Sequence, residues 1–197
     1  MANYQLVVYG ASSFVGQLLT RYLFQRHGIN NGLTWAIAGR SQDKLQTLRE
    51  SLGAEASTLP IILADADDEK ALRKLCKQTG VVASTVGPYV LYGSTLVKVC
   101  AETGTDYCDL AGEPHWIAQM IQEHSAAAQK SGARIVPSSG FDSVPSDMGV
   151  YYLQQQTLKR FGQPGQRVKL RVKAMRGGAS GGTVASRWSG ARPASRV

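Results

Sequence analysis

VVYGASSFVG, residues 7–16, is the stretch on which the fold turns. An apolar run, Gln5-Leu6-Val7-Val8-Tyr9, stops at Gly10, and a helical pattern begins at Phe14 and Val15. This reads as strand, glycine turn, helix. Glycines at the two ends of such a turn let the backbone approach a diphosphate, whose charge meets the N–H groups at the helix start. The spacing is that of a dinucleotide fingerprint, Gly10-x-x-Ser13-x-x-Gly16, with Ser13 in place of the middle glycine. An ordinary strand-to-helix turn has the same outline, so the neighbouring segments must decide.

They repeat one alternation. The helix from Phe14 to His27 is expected to place Val15, Leu18, Leu19, Tyr22 and Leu23 on a sheet. Leu33–Ala38 is a strand, followed by a helix with Leu45, Leu48 and Leu52. Leu59–Ala64 is the third strand, and Asp67 or Asp68 caps a helix carrying Ala71, Leu72 and Leu75. Val81–Val86 is the fourth strand, broken by Gly87-Pro88, and the next helix carries Leu96, Val97 and Cys100. Tyr107–Leu110, a helix from about Glu113 to Ser131 with Ile117, Met120 and Ile121, and the strand Ala133–Val136 complete the set. Strands and helices alternating at this pitch predict an α/β fold with a doubly wound parallel sheet, the Rossmann arrangement, because parallel neighbours need crossover helices. That domain is placed over residues 1–145. A helix from Pro145 to Phe161 and an alternating strand from Arg167 to Met175 begin a second, α+β domain over 146–184, and the basic, breaker-rich residues 185–197 are expected to form a disordered tail.

Charge and composition exclude several classes. The net charge is +8, but residues 1–150 hold 12 Lys and Arg against 14 Asp and Glu, while residues 151–197 hold 10 Lys and Arg and no acid. The cations of Arg167-Val-Lys-Leu-Arg-Val-Lys173 fall on one face of a strand with no aromatics interleaved for base stacking, so a solvated face is preferred to a nucleic-acid surface. No apolar run reaches the ~18 residues of a membrane span, and no signal peptide precedes the first strand, so a cytoplasmic protein is expected. Cys76, Cys100 and Cys108, and His27, His115 and His124, lack metal-ligand spacing; free thiols and no metal are the reading.

In a sheet of this kind ligands bind beyond the carboxyl ends of the strands, where the strand order reverses. After the second strand an NAD site commonly carries an acid for the ribose hydroxyls. Here stand Arg40, Ser41 and, one helical turn on, Lys44, a set that suits the 2′-phosphate of NADP. The candidate cofactor site is therefore Gly10, Ala11, Ser12, Ser13, Phe14, Val15 and Gly16 with Arg40, Ser41 and Lys44, joined by Asp65 and by Thr85, Val86, Gly87, Pro88 and Tyr89. Asp65 either accepts from the adenine amino group or caps the helix that follows. Asp142, in Gly140-Phe-Asp-Ser-Val-Pro145, either meets substrate or caps the helix that follows, and capping is preferred. None of the eight tyrosines has a lysine four residues later, as a short-chain dehydrogenase requires; Tyr22 has only Arg26. Ser12 and Ser13 lie in GASSFVG without the glycines of a GxSxG elbow, and no general acid is identified.

Gly10-Ala-Ser-Ser-Phe-Val-Gly16, Ala38-Gly-Arg-Ser41, Val86-Gly-Pro-Tyr89 with Tyr92-Gly93, Tyr107-Cys-Asp-Leu-Ala-Gly-Glu113 and Gly140-Phe-Asp-Ser-Val-Pro-Ser-Asp147 together resemble the saccharopine dehydrogenase-like oxidoreductases, including the trans-acting enoyl reductases, in order and spacing. The resemblance implies an NADP-binding Rossmann domain and a mixed α/β domain that covers the cofactor, hydride transfer to an enoyl or other lipid-like substrate, and a homodimer in a full-length form. Ser13 departs from the family's pattern. Gly178-Ala-Ser-Gly-Gly-Thr183 resembles a family block, and the match ends after it, which reads as a truncated or frame-shifted end. An NADP-binding fragment without turnover, or a redox sensor, is the second hypothesis, and a nucleic-acid binder using the basic tail the third.

Overall fold

Val7 and Val8 point to opposite faces of one strand, yet both are wholly buried, as a strand at the centre of a parallel sheet demands. The computed structural model describes residues 2–29, 31–174, 176–178 and 181. In it β1 (Tyr4–Tyr9) lies between β2 (Trp35–Gly39) and β4 (Thr79–Ser84) in a six-stranded parallel sheet of order β3-β2-β1-β4-β5-β6. The remaining strands are β3 (Ile61–Leu63), β5 (Asp106–Asp109) and the two-residue β6 (Ile135–Val136). The order reverses between β1 and β4, as the doubly wound reading requires.

The reversal sends the helices to opposite faces. Val8, Trp35 and Ile37 pack with Leu23 of α1 (Phe14–His27) and with Leu45 and Leu48 of α2 (Gln42–Glu50). Val7, Tyr9, Val82 and Tyr107 face the other way. They meet Leu72 and Leu75 of α3 (Glu69–Cys76), Tyr89 of α4 (Tyr89–Tyr92), Leu96 and Val97 of α5 (Ser94–Thr103), and Trp116 and Met120 of α6 (Pro114–Ser131). Cys76 and Cys100 are buried in this second core with their sulfurs 3.6 Å apart; Cys108 is half-buried, and all three are free.

Three details differ from the pattern of the sequence. On α1, Gly16, Thr20 and Leu23 are buried, whereas Leu18 and Tyr22 are 53% and 56% exposed. The cause is Gly16: the close approach that it permits fixes the rotation of the helix, and the residues four and seven further on follow it inward. On α6, Trp116 and Met120 are buried while Ile121 is exposed. Residues 167–174, expected as a strand, pair with no strand in the sheet, and their alternation of cations and apolar side chains stands in solvent apart from Val168, which is half-buried. A strand is held by its neighbours' hydrogen bonds, and alternation alone provides none. The helix expected from Pro145 is α7 (Val144–Phe161), none of whose residues is buried. The predicted tail over 185–197 lies outside the described residues.

Thr20 carries a further consequence of that rotation. It is wholly buried, and its hydroxyl has no hydrogen-bond partner among the described residues. Thr20→Val removes the unpaired group at nearly constant shape and is expected to raise stability by about 1 kcal/mol, a Tm increase of about 3 °C in a thermal melt. A lower Tm would mean that the hydroxyl is bonded.

Candidate functional site

Beyond the carboxyl end of β1 the chain has little freedom. Gly10 lies at φ +80°, and a Cβ there would stand 2.5 Å from Val86 Cγ2 and 3.0 Å from Thr85 Oγ1. At Gly16 a Cβ would stand 2.2 Å from the Gly10 carbonyl oxygen and 2.8 Å from Ala11 Cα. Both ends of the fingerprint thus need glycine, the first for φ and space, the second for space alone.

Ser13 needs no glycine. Its backbone is extended (φ −68°, ψ 164°), and its hydroxyl caps α1 by accepting from Gly16 N–H at 2.9 Å. The same hydroxyl lies 3.0 Å from Thr85 Oγ1, and Thr85 in turn donates to the Gly10 carbonyl at 2.9 Å. Thr85 spends its one hydrogen on that carbonyl, so Ser13 donates to Thr85. Gly16 N–H, Ser13, Thr85 and Gly10 C=O form a continuous chain that ties the turn to the end of β4, the junction at which the strand order reverses. The N–H groups of Phe14 and Val15 remain in the first turn of α1, where a helix offers them no acceptor.

The ends of the next two strands meet the same edge. Arg40 follows β2, exposed, and Ser41 caps α2 by accepting from Lys44 N–H, so Arg40 and Lys44 flank one hydroxyl. Among the described residues neither cation takes part in an ion pair. The Tyr9 hydroxyl donates to the Ala64 carbonyl at 3.4 Å, one residue beyond β3. Burial, with Asp65 and Asp67 nearby, pushes this hydroxyl well above the ordinary tyrosine value, and the Arg40 guanidinium offsets part of this. Asp65 is exposed and its carboxylate accepts from Asp67 N–H at 3.2 Å in a tight turn; the cap of α3 is Asp68, which accepts from Ala71 N–H at 3.0 Å.

On the other side of the junction, Val86 is half-buried and Gly87 exposed, while Pro88 and Tyr89 turn inward. The Tyr89 hydroxyl donates to Ser84 C=O at 3.2 Å and its ring packs 5.5 Å from that of Trp116, so only its backbone borders the cleft. Burial and the Asp109 carboxylate raise its hydroxyl above the ordinary range. The structure brings Gly10 to Gly16, Arg40, Ser41, Lys44, Asp65 and Thr85 to Tyr89 to one edge of the sheet. Asp142 is exposed, and the N-cap position of α7 is Ser143, with no side-chain cap.

Two acids of this edge escape single-residue reading. Asp109, at the end of β5 and 4% exposed, accepts from Tyr107 O–H at 2.7 Å and from Ala111 N–H and Ser138 N–H at 2.9 Å each. Glu113 accepts from Tyr89 N–H at 3.0 Å and Val90 N–H at 2.8 Å. Both stand in the Tyr107–Glu113 block that contributes to the resemblance, but Ser138 lies 29 residues from Asp109, and Tyr89 and Val90 lie 24 and 23 residues from Glu113. An apolar groove of about 390 Å³, lined by Val97, Trp116, Met120, Ala128, Ile135 and Pro137, is formed by α5, α6 and the β6 edge and shares no residue with the glycine turn.

Residues 6–136 match the family described as the saccharopine dehydrogenase NADP binding domain. A relative from Mycobacterium tuberculosis is 42% identical over 184 residues, 93% of this chain and 43% of its own length. The trans-acting enoyl reductase of Mycobacterium ulcerans is 40% identical over 154 residues, 78% of this chain and 36% of that protein. The lipid droplet localized protein of Caenorhabditis elegans is 40% identical over 159 residues, 79% of this chain and 37% of that protein. The chain thus spans less than half the length of these curated relatives. Apo saccharopine dehydrogenase (L-Glu forming) from Saccharomyces cerevisiae superposes with a TM-score of 0.60 at 21% identity, over 81% of this chain and 32% of that one, a likeness of fold.

Proposed function

The chain belongs to the family of the saccharopine dehydrogenase NADP binding domain, and from that premise we propose that it is the cofactor-holding part of an NADPH-dependent oxidoreductase acting on an enoyl or other lipid-like small molecule. No helix among the described residues is long and apolar enough to cross a membrane. A cytoplasmic location and a homodimer in a longer form belong to the same reading.

The residues present fit the dinucleotide. The cradle that a Cβ would fill at Gly10 and Gly16, and the acceptor-less N–H groups of Phe14 and Val15, suit a diphosphate. Arg40 and Lys44, with Ser41 between them, suit a 2′-phosphate, and Asp65 stands where the adenine would end. Thr85, Val86, Gly87, Pro88 and the Tyr89 backbone would border the nicotinamide half. NADPH supplies a hydride when bound; the protein's own residues bind and orient it. The enoyl substrate class is carried from the name of a relative, and an NADP-binding piece without turnover is the second reading.

The observation that carries the reading is the cation pair Arg40 and Lys44 where an NAD site would place an acid. Arg40→Ala is expected to weaken NADPH binding about 10- to 100-fold, as loss of a charge-assisted bond does, and to leave NADH binding within twofold. Fluorescence titration with both nucleotides checks this. Equal affinities for the two in the unaltered protein would sink the NADP assignment. Oxidation of NADPH on addition of an enoyl thioester would separate the enzyme from the inert piece.

A further inference from the structure

Glu113 stands at the N-cap position of α6, where an acidic side chain ordinarily accepts from its own helix. It does not do so: no side-chain cap bond is made to α6, although its carbonyl accepts from Ile117 N–H at 3.0 Å. The carboxylate reaches instead to the first residues of α4, 23 and 24 positions earlier, one oxygen accepting from Tyr89 N–H and the other from Val90 N–H. Those N–H groups open a helix of only four residues that has no side-chain cap of its own. A four-residue helix has little stability in isolation, and a carboxylate on two adjacent donors fixes both its start and its direction.

What Glu113 holds is therefore the path of the chain from β4 into α4. Thr85 and Val86 at one end of that path touch Gly10, and Tyr89 at the other is anchored through its hydroxyl to Ser84 and through its ring to Trp116. Between these anchors lie exposed Gly87 and buried Pro88, without a side-chain hydrogen bond to pin them. Resting on the cofactor reading above, we propose that Glu113 is a positioning residue for the nicotinamide half of NADPH. By clamping Tyr89 and Val90 it keeps the Val86–Tyr89 backbone in the shape that receives that half, and it plays no part in holding the adenosine half, which belongs to Gly10–Gly16 and Arg40–Lys44.

This division sets the test. Adenosine 2′,5′-bisphosphate has the adenine and the 2′-phosphate and lacks the nicotinamide. Titration calorimetry of Glu113→Ala is expected to show NADPH at least tenfold weaker, with the bisphosphate within twofold of the unaltered protein. Glu113→Gln, which keeps one acceptor oxygen and turns an NH2 toward an N–H donor, should fall between, and it carries the test if Glu113→Ala does not melt cooperatively. Unchanged NADPH affinity in these variants, or equal weakening of both ligands, overturns the proposal while leaving the cofactor reading intact. Failure of the unaltered protein to bind either ligand overturns the cofactor reading, and the proposal with it.

Discussion

Gly16→Ala is expected to lose about 3 kcal/mol of stability, roughly 10 °C in Tm, together with at least a hundredfold in NADPH affinity. The added methyl would meet backbone on two sides, the Gly10 carbonyl oxygen at 2.2 Å and the Ala11 carbonyl oxygen at 2.8 Å. Neither is the end of a flexible side chain, so relief requires α1 to move off the turn. That movement would pull Gly16 N–H from Ser13, and Ser13 from Thr85, breaking the chain of hydrogen bonds between the turn and β4. Gly28→Ala is the control. It places an alanine at φ +56°, ψ −145° with no atom within 4 Å, and it should cost about 1 to 3 kcal/mol through backbone conformation alone, with NADPH binding unchanged. Thermal melts and fluorescence titrations of both variants decide the matter. A Gly16→Ala protein that melts and binds like the parent would show that the turn is not closed as described.

The two glycines also mark what a sequence can convey about this site. Local geometry is written locally. Gly10 and Gly16, the breaks at Gly87-Pro88 and the strand runs around Val7 and Ile37 each announce a feature that they form themselves, so the doubly wound sheet and the edge that carries the glycine turn are legible in the sequence. Ser13 was legible only as a missing glycine, because its value lies in Thr85, 72 residues away, and in a hydroxyl orientation that the spacing of a motif does not encode. The face that α1 buries departs from its hydrophobic stripe for a related reason. Hydrophobic period finds the stripe Val15, Leu18, Tyr22, but a glycine contact, invisible to hydrophobicity, sets the rotation. Residues 167–174 have the same lesson in reverse: their alternation is that of a strand, and strand formation waits on a partner edge. Asp109 and Glu113 read as ordinary acids at element ends, since the bond from Ser138 to Asp109 and the bonds from Tyr89 and Val90 to Glu113 span segments that sequence order does not place side by side.

Asp109 is where that long-range dependence has its largest expected effect. Three donors converge on its carboxylate: the Tyr107 hydroxyl from β5, Ala111 N–H ahead of α6, and Ser138 N–H from the loop after β6. Tyr107 and Ala111 are each 1% exposed, so water cannot replace the acceptor. Asp109→Ala leaves these donors unpaired and is expected to cost at least about 3 kcal/mol. Asp109→Asn should cost under about 1 kcal/mol, because the amide oxygen can accept from Ala111 and Ser138 while its NH2 donates to the Tyr107 oxygen, reversing that bond. The acid and the amide are then separated by pH. Burial lifts the Asp109 carboxyl above the usual aspartate value, with the neighbouring Glu113 acting in the same sense, and the bonds from Ala111, Tyr107 and Ser138 offset only part of it. A carboxyl whose pKa is raised on folding binds more proton in the native state than in the unfolded one. Its contribution to stability is therefore greatest below the unfolded pKa, near 3.8, and declines as pH rises through the raised folded value. Subtracting the Asp109→Asn stability curve from that of the parent, by urea unfolding between pH 4 and 7, should leave a difference that falls as pH rises. A flat or rising difference would mean that the three hydrogen bonds outweigh burial and that Asp109 is held as a fully ionised clamp.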